Sequence, residues 1–161
     1  MITTPLPTPY VDIPRYMGAW YVIASIPSRL EKDACNAVES YALEADGTIR
    51  TTFTYRKGAF DGEPKTITAR GFVKDDRTHA VWGMRIFWPI KSDYRIAWLA
   101  DDYSQVVVAR EKRDYVWIMA RTPHIDESDL ERLKSIAQSL GYDAAKIQDV
   151  PQNGTPPSVT H

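Results

Sequence analysis

Cys35, three histidines, a pair of adjacent aspartates and nine tyrosines are the side chains in this 161-residue chain that could carry chemistry. A thiol beside an imidazole makes a nucleophile pair, and two carboxyls can divide the work of acid and base. The spacing supports neither arrangement. His79 stands beside a turn, His124 precedes a helix and His161 is the last residue, so Cys35 has no imidazole near it in sequence. Asp101 and Asp102 precede Tyr103 in a stretch that reads as a solvated turn. No HExxH, CxxC, GxSxG, phosphate loop or GxGxxG occurs, so neither a metal nor a cofactor is expected. With one cysteine there is no intrachain disulfide, and Cys35 reads as an inert thiol.

The aromatic residues say more. Five tryptophans and nine tyrosines fall mainly in strand-like segments. Large rings with a polar handle line cavities and interfaces more readily than they fill a tight aliphatic core. The plainer alternative is that they are core and surface packing.

The elements that must position these rings are short. Eight β-like segments run about 16–25, 37–44, 48–56, 65–74, 79–88, 93–100, 105–112 and 114–121, many parted by turn sequences such as "ADGT", "FDGEP" and "KDDRT". In "TIRTTFTYR", Ile49, Thr51, Phe53 and Tyr55 share one face, and Thr48, Arg50, Thr52, Thr54 and Arg56 the other. Strands at such spacing predict an antiparallel meander, and eight of them close into a barrel wide enough for one small ligand. A sandwich is the alternative from pattern alone. One helix follows in "PHIDESDLERLKSIAQSLGYD", with Asp126 as N-cap, Leu130, Leu133, Ala137 and Leu140 as a narrow apolar stripe, and Gly141 as the stop. So narrow a stripe places the helix against the outside of the sheet. A short ninth strand is predicted near Lys146–Val150.

Hydrophobic residues make up 43% and charged residues 25%, and the net charge is -1, which gives no electrostatic case for nucleic acid or an anionic membrane. The division expected is a flexible segment over 1–10, one folded domain over 11–150 and a flexible tail over 151–161. The first ten residues lack the basic and apolar regions of a signal peptide.

The remaining signal is in four blocks. "YMGAWYVIASIP" holds Gly18 and Trp20 as a G-x-W. "YALEADGTI", "YRIAWLADDYSQVVV" and "RDYVWIMARTP" follow in order, with Asp101 where the third block usually has threonine and Arg121 in the last. From about Val11 to Val150 the chain resembles the lipocalins, in particular the bacterial lipocalin (Blc) and apolipoprotein D branch. The resemblance implies an all-β fold, an eight-stranded antiparallel up-and-down barrel with one C-terminal α-helix packed outside. It implies a structural trio. Gly18 would allow close backbone approach, Trp20 would close the floor, and the Arg121 guanidinium would stack on that ring.

By the same resemblance, counting in twos turns a set of side chains inward. Ala37, Glu39, Tyr41 and Leu43 do so on the second strand, Ile49, Thr51, Phe53 and Tyr55 on the third, and Ile67, Ala69, Gly71 and Val73 on the fourth. Trp82, Met84 and Ile86 follow on the fifth and Tyr115 shares the face of Arg121, while "QVVVAR" does not decide its own parity. The residues expected to face a ligand are Val22, Ala24, Tyr41, Phe53, Tyr55, Ala69, Trp82, Met84, Tyr94, Ile96, Trp98, Trp117 and Met119. Glu39 is expected either to turn outward at a bulge or to pair with a basic group at the mouth, because a buried unpaired carboxylate is costly. The loop "SRLEKDAC" is expected at the open end.

The function implied is binding and carriage of a small hydrophobic ligand, a fatty acid or lysophospholipid, without catalysis. The rivals are a barrel enzyme using Cys35 or a cavity tyrosine, and an interaction module whose barrel is filled by its own side chains. The family also brings membrane association, through a leader or anchor this sequence does not show, and homodimers. The location implied is periplasm or outer membrane if a leader preceded the chain, and otherwise cytoplasm.

Overall fold

Alternating strands with short turns can satisfy every backbone group only by pairing with their neighbours, and here that pairing closes on itself. The computed structural model describes residues 4–28, 31–86 and 92–155. It places β1 at Gly18–Ile26, β2 at Ala34–Leu43, β3 at Ile49–Lys57, β4 at Pro64–Val73, β5 at Val81–Arg85, β6 at Ser92–Leu99, β7 at Gln105–Ala109 and β8 at Val116–Ala120. Each strand pairs antiparallel with the next, β8 pairs with β1, and β1 pairs with β2. That is a closed eight-stranded antiparallel barrel, so the sandwich alternative is excluded. Residues 87 and 88 of the predicted fifth strand lie outside the described residues.

Outside the ring are α1 (Ile13–Tyr16), α2 (Glu127–Ser139), a 3-10 turn (Ala144–Lys146) and β9 (Gln148–Asp149) on β1. The four-residue α1 was not expected. Pro14 in its first turn and the Asp12 carboxylate accepting from the Arg15 N–H make it. On α2, Leu133 and Ala137 are fully buried and Leu130 and Leu140 partly, as the stripe predicts. Asp126 stands at the N-cap, but its side chain makes no capping bond.

Two apolar layers result. One fills the barrel; the other lies between its outer wall and α2. Three β-bulges decide which side chains enter which layer. In β1 the register slips between Val22 and Ala24, and in β6 between Ile96 and Trp98. An inserted residue breaks the period of two, so Ile23 and Ala24 both face out, as do Ala97 and Trp98. The expectation that Ala24 and Trp98 face a ligand is therefore corrected: both pack in the outer layer. Trp98 lies under α2, with the Arg132 guanidinium 5.4 Å from its ring centroid. The third bulge, between Cys35 and Val38 of β2, leaves the inward parity of Ala37, Glu39 and Tyr41 intact.

The described parts of both terminal segments make contacts with the barrel. Leu6 is buried in the outer layer and its N–H donates to Glu111 Oε1 at 2.8 Å. At the other end, residues 150–155 run along the seam between β1 and β2. These two strands pair only over Gly18–Tyr21 against Val38–Tyr41 and then diverge. Val150 N–H donates to Ile23 O, Asn36 N–H to Pro151 O, and Gln152 Nε2 to both Val22 O and Ala37 O. The Asn36 amide also donates to Asn153 Oδ1 at 2.6 Å. This strap closes the upper part of the seam.

Candidate functional site

The closed end of the barrel is packed with rings. Tyr16, Trp20, Tyr41, Trp82 and Tyr94 are all buried and in mutual contact, with Trp82 stacked on Tyr94 at 4.7 Å. Beneath them the Arg121 guanidinium lies 3.8 Å from the Trp20 ring centroid and donates to Ala19, Arg15 and Tyr16 carbonyls. Trp20 Nε1 donates to the Tyr16 carbonyl as well. One arginine thus covers the floor tryptophan and caps the end of α1. Gly18 sits beside it with φ +98°, a left-handed conformation other residues rarely adopt. A Cβ there would stand 3.5 Å from Arg121 Nη1, an ordinary contact. The backbone angle, not the close approach expected from sequence, is what requires glycine.

Three hydroxyls meet in this floor. Tyr94 Oη is 2.8 Å from Tyr16 Oη and 2.6 Å from Tyr41 Oη. Burial, the largest influence on each, holds all three well above the ordinary tyrosine range, so they stay neutral. Three hydroxyl protons share two hydrogen bonds, so one proton is left over at an end or at the centre of the chain.

Above the floor, the barrel opens into a cavity of about 320 Å³. Of the side chains expected at a ligand, Tyr41, Phe53, Ala69, Met84, Tyr94, Trp117 and Met119 line it. Val22, Tyr55, Trp82 and Ile96 belong to the inner layer but lie off the cavity wall. Trp82 is held in the floor by its Nε1 donating to the His79 carbonyl. Gly71, inward by parity, leaves no room for a ligand: a Cβ there would meet Ile49 Cβ and Trp82 Cε3, both at 3.4 Å. Thr51, Ile67, Ile86 and Tyr115, inward by parity, also line the cavity. Leu43, inward by parity, is 47% exposed at the end of its hairpin.

Ser28, Glu31, Ser92, Asp93, Val108 and Arg110 complete the wall and were missed from sequence. Val108 is placed by register against Ile96, which "QVVVAR" alone cannot show. Ser28 and Glu31 come from the loop before β2, expected at the open end; Arg29 and Leu30 of that loop lie outside the described residues. Glu31 Oε2 accepts from Trp117 Nε1 at 3.1 Å and from Ser28 N–H at 3.3 Å. Burial nonetheless raises the Glu31 carboxyl, with those two bonds opposing it. Asp93 pairs with Arg95 at 2.9 Å and Arg110 with Asp114 at 3.0 Å.

Glu39 corrects the sequence reading most sharply. It faces inward, opposite Trp20 on β1 and Phe53 on β3, and among the described residues its carboxyl has no basic partner and no hydrogen bond. Protein encloses it on every side, and the part of it that remains accessible is cavity surface. Burial first, and the charge of Glu31 second, push its carboxyl well above the usual range. The cost of an unpaired buried carboxylate is avoided by keeping the proton. Among the described residues no three His, Cys, Asp or Glu side chains gather as a metal site.

A closed barrel, a ring-packed floor with an arginine beneath its tryptophan, and an outer helix were the features expected of one family. The family model described as "Lipocalin-like domain" matches residues 11–152. The chain belongs to the lipocalin family. This lipocalin is 32% identical over 157 residues to temperature-induced lipocalin-1 of Arabidopsis thaliana, covering 91% of this chain and 82% of that one. It is 30% identical to the outer membrane lipoprotein Blc of Citrobacter freundii (89% and 80% covered) and 29% identical to apolipoprotein D of Macaca fascicularis (90% and 79%). Apocrustacyanin C2 shares its fold with a TM-score of 0.68 at 12% identity, covering 95% of this chain and 92% of that one. Insecticyanin from the tobacco hornworm Manduca sexta does so equally, with 93% and 84% covered. Lipocalins are in general binding and transport proteins, and the barrel of this one is consistent with a hydrophobic ligand.

Proposed function

We propose that this lipocalin binds and carries one single-chain hydrophobic ligand, of the fatty acid or lysophospholipid class, in its upper barrel, and catalyses nothing. The observation that carries this reading is the cavity itself, which Phe53, Ile67, Met84, Trp117 and Met119 line with apolar surface above a floor already filled. At about 30 Å³ for each water-sized group, 320 Å³ holds on the order of ten heavy atoms. Burying roughly ten methylenes yields about 8 kcal/mol, and association costs at least ~4 kcal/mol. Hydrocarbon alone is then held at about millimolar; micromolar binding needs a further ~4 kcal/mol from polar groups on the wall.

The rival in which the barrel fills itself is favoured by the floor rings and opposed by the open volume above them. The enzyme rival has little support at Cys35, a buried thiol whose pKa burial and the nearby Asp33 charge both raise, away from the reactive thiolate. The test is native mass spectrometry of delipidated protein with lysophospholipid or fatty acid, read beside quenching of Trp117 emission. A one-to-one complex with quenching is expected. Failure of both ligand classes to bind at submicellar concentration would refute the carrier reading.

A further inference from the structure

The cavity wall carries four charged side chains, and two of them are already neutralised. Asp93 is paired with Arg95, and Arg110 with Asp114. Glu31 and Glu39 remain. Neither has a cation beside it among the described residues, and the charge of Glu31 is felt at Glu39. Glu31 accepts from the Trp117 indole and from Ser28, neutral donors that leave its charge without a cation among the described residues. Glu39 is enclosed, unpartnered and aimed into the space a ligand would occupy. An apolar residue at either position would serve a purely hydrocarbon ligand better. Two carboxyl groups without a cation among the described residues, in a wall also built from Tyr41, Phe53, Tyr94 and Trp117, describe a receptor for a positive charge.

We infer that the cavity selects a monocationic amine with an apolar body of about ten heavy atoms, its ammonium held between Glu31 and Glu39. This rests on the proposed binding of a single-chain hydrophobic ligand and departs from that reading at the head group, where it sets an amine in place of the fatty-acid carboxylate. An ammonium offers three donors and no acceptor, which suits a wall whose unpaired charged groups are both carboxyls. A carboxylate head would bring a third acidic group to the same wall, where the one cation among the described lining residues, Arg110, is already paired with Asp114 and the remaining donors are the hydroxyls of Ser28, Thr51, Ser92 and the tyrosines. The step balances simply. The alkylammonium enters as the cation, Glu39 releases its proton to solvent, and a carboxylate–ammonium pair replaces the neutral acid. The groups that bear on that proton are Glu31 from the loop before β2, Tyr16 from α1, Tyr41 from β2 and Tyr94 from β6.

The probes are decylamine, decanol and decanoate, which share one chain and differ in head group. Each is titrated below its micellar range into the delipidated protein, with Trp117 quenching and native mass spectrometry as readouts. Decylamine is expected to bind about tenfold or more tighter than decanol, and decanoate weaker than decanol. Glu39→Gln and, independently, Glu31→Gln should each bring decylamine close to decanol while leaving decanol unchanged. Equal or tighter binding of decanoate than of decylamine would overturn the inference, as would an amine preference that persists in the double variant. If decanol binds and decylamine gains nothing over it, only this inference falls. If none of the three binds, the carrier reading falls with it.

Discussion

Glu39→Gln should change how stability depends on pH even with no ligand present. In the unfolded chain Glu39 titrates near the ordinary value of ~4.3. In the barrel, burial and the Glu31 charge hold it well above that. Over the window between the two values the folded state keeps a proton that the unfolded state has released. The native state then binds more protons, so wild-type stability falls as pH rises. The slope is about 1.4 kcal/mol per pH unit for one fully retained proton. The stabilisation is complete below the unfolded pKa and is lost as pH climbs through the folded one. The glutamine variant has no such proton, so its profile lacks this slope, while Glu31 contributes its own slope in both proteins. Urea unfolding at unit steps from about pH 5 to pH 7 gives the measurement. The variant should gain on wild type by up to about 1.4 kcal/mol with each step. Parallel profiles would refute the reasoning, since they would mean that Glu39 titrates alike in the folded and unfolded states.

The other predictions concern the floor, the helix face and the seam. Arg121→Ala removes a stacked cation and three hydrogen bonds to carbonyls, and should cost about 3 kcal/mol in urea unfolding while ligand affinity per folded molecule stays unchanged. Gly18→Ala forces a side chain into a left-handed backbone and should cost about 1–3 kcal/mol by the same assay. Trp98→Phe should leave ligand-induced quenching intact and Trp117→Phe should abolish most of it, because among the described residues Trp117 is the one tryptophan on the cavity wall. Gln152→Ala leaves two carbonyls of the seam without their donor, costing about 1–2 kcal/mol and speeding amide exchange at the Asn36 and Val150 N–H groups.

The strand count, the order of pairing and the outer helix were legible because each rests on a local period. "TIRTTFTYR" has one apolar face, and Leu133 and Ala137 lie on one stripe. The bulges were not. β1 reads "GAWYVIASI" and β6 reads "SDYRIAWL", and through the bulged stretches both are apolar on both faces, since α2 covers the outside where the barrel core fills the inside. An inserted residue leaves no mark on such a stretch, so Ala24 and Trp98 pass as inward residues when they face the helix. The polar part of the wall was hidden for a different reason. Glu31 sits in a loop without a period, and Asp93 and Arg110 sit near strand ends where the barrel widens. The parity of Glu39 could be read from Tyr41 two residues on. Its lack of a partner belongs to the assembled wall, and no window of sequence contains that.

The strap over residues 150–153 also has a meaning in time. The slot between β1 and β2 is bridged by amides at Asn36 and Gln152, side chains more than a hundred residues apart in order of synthesis. While the chain is being made, residues 18–120 can pair into the ring before the stitches of its upper seam exist. Val150, which packs against the interior, and Gln152 arrive last and secure that seam. The upper wall between β1 and β2 is therefore the last part of the barrel to be completed.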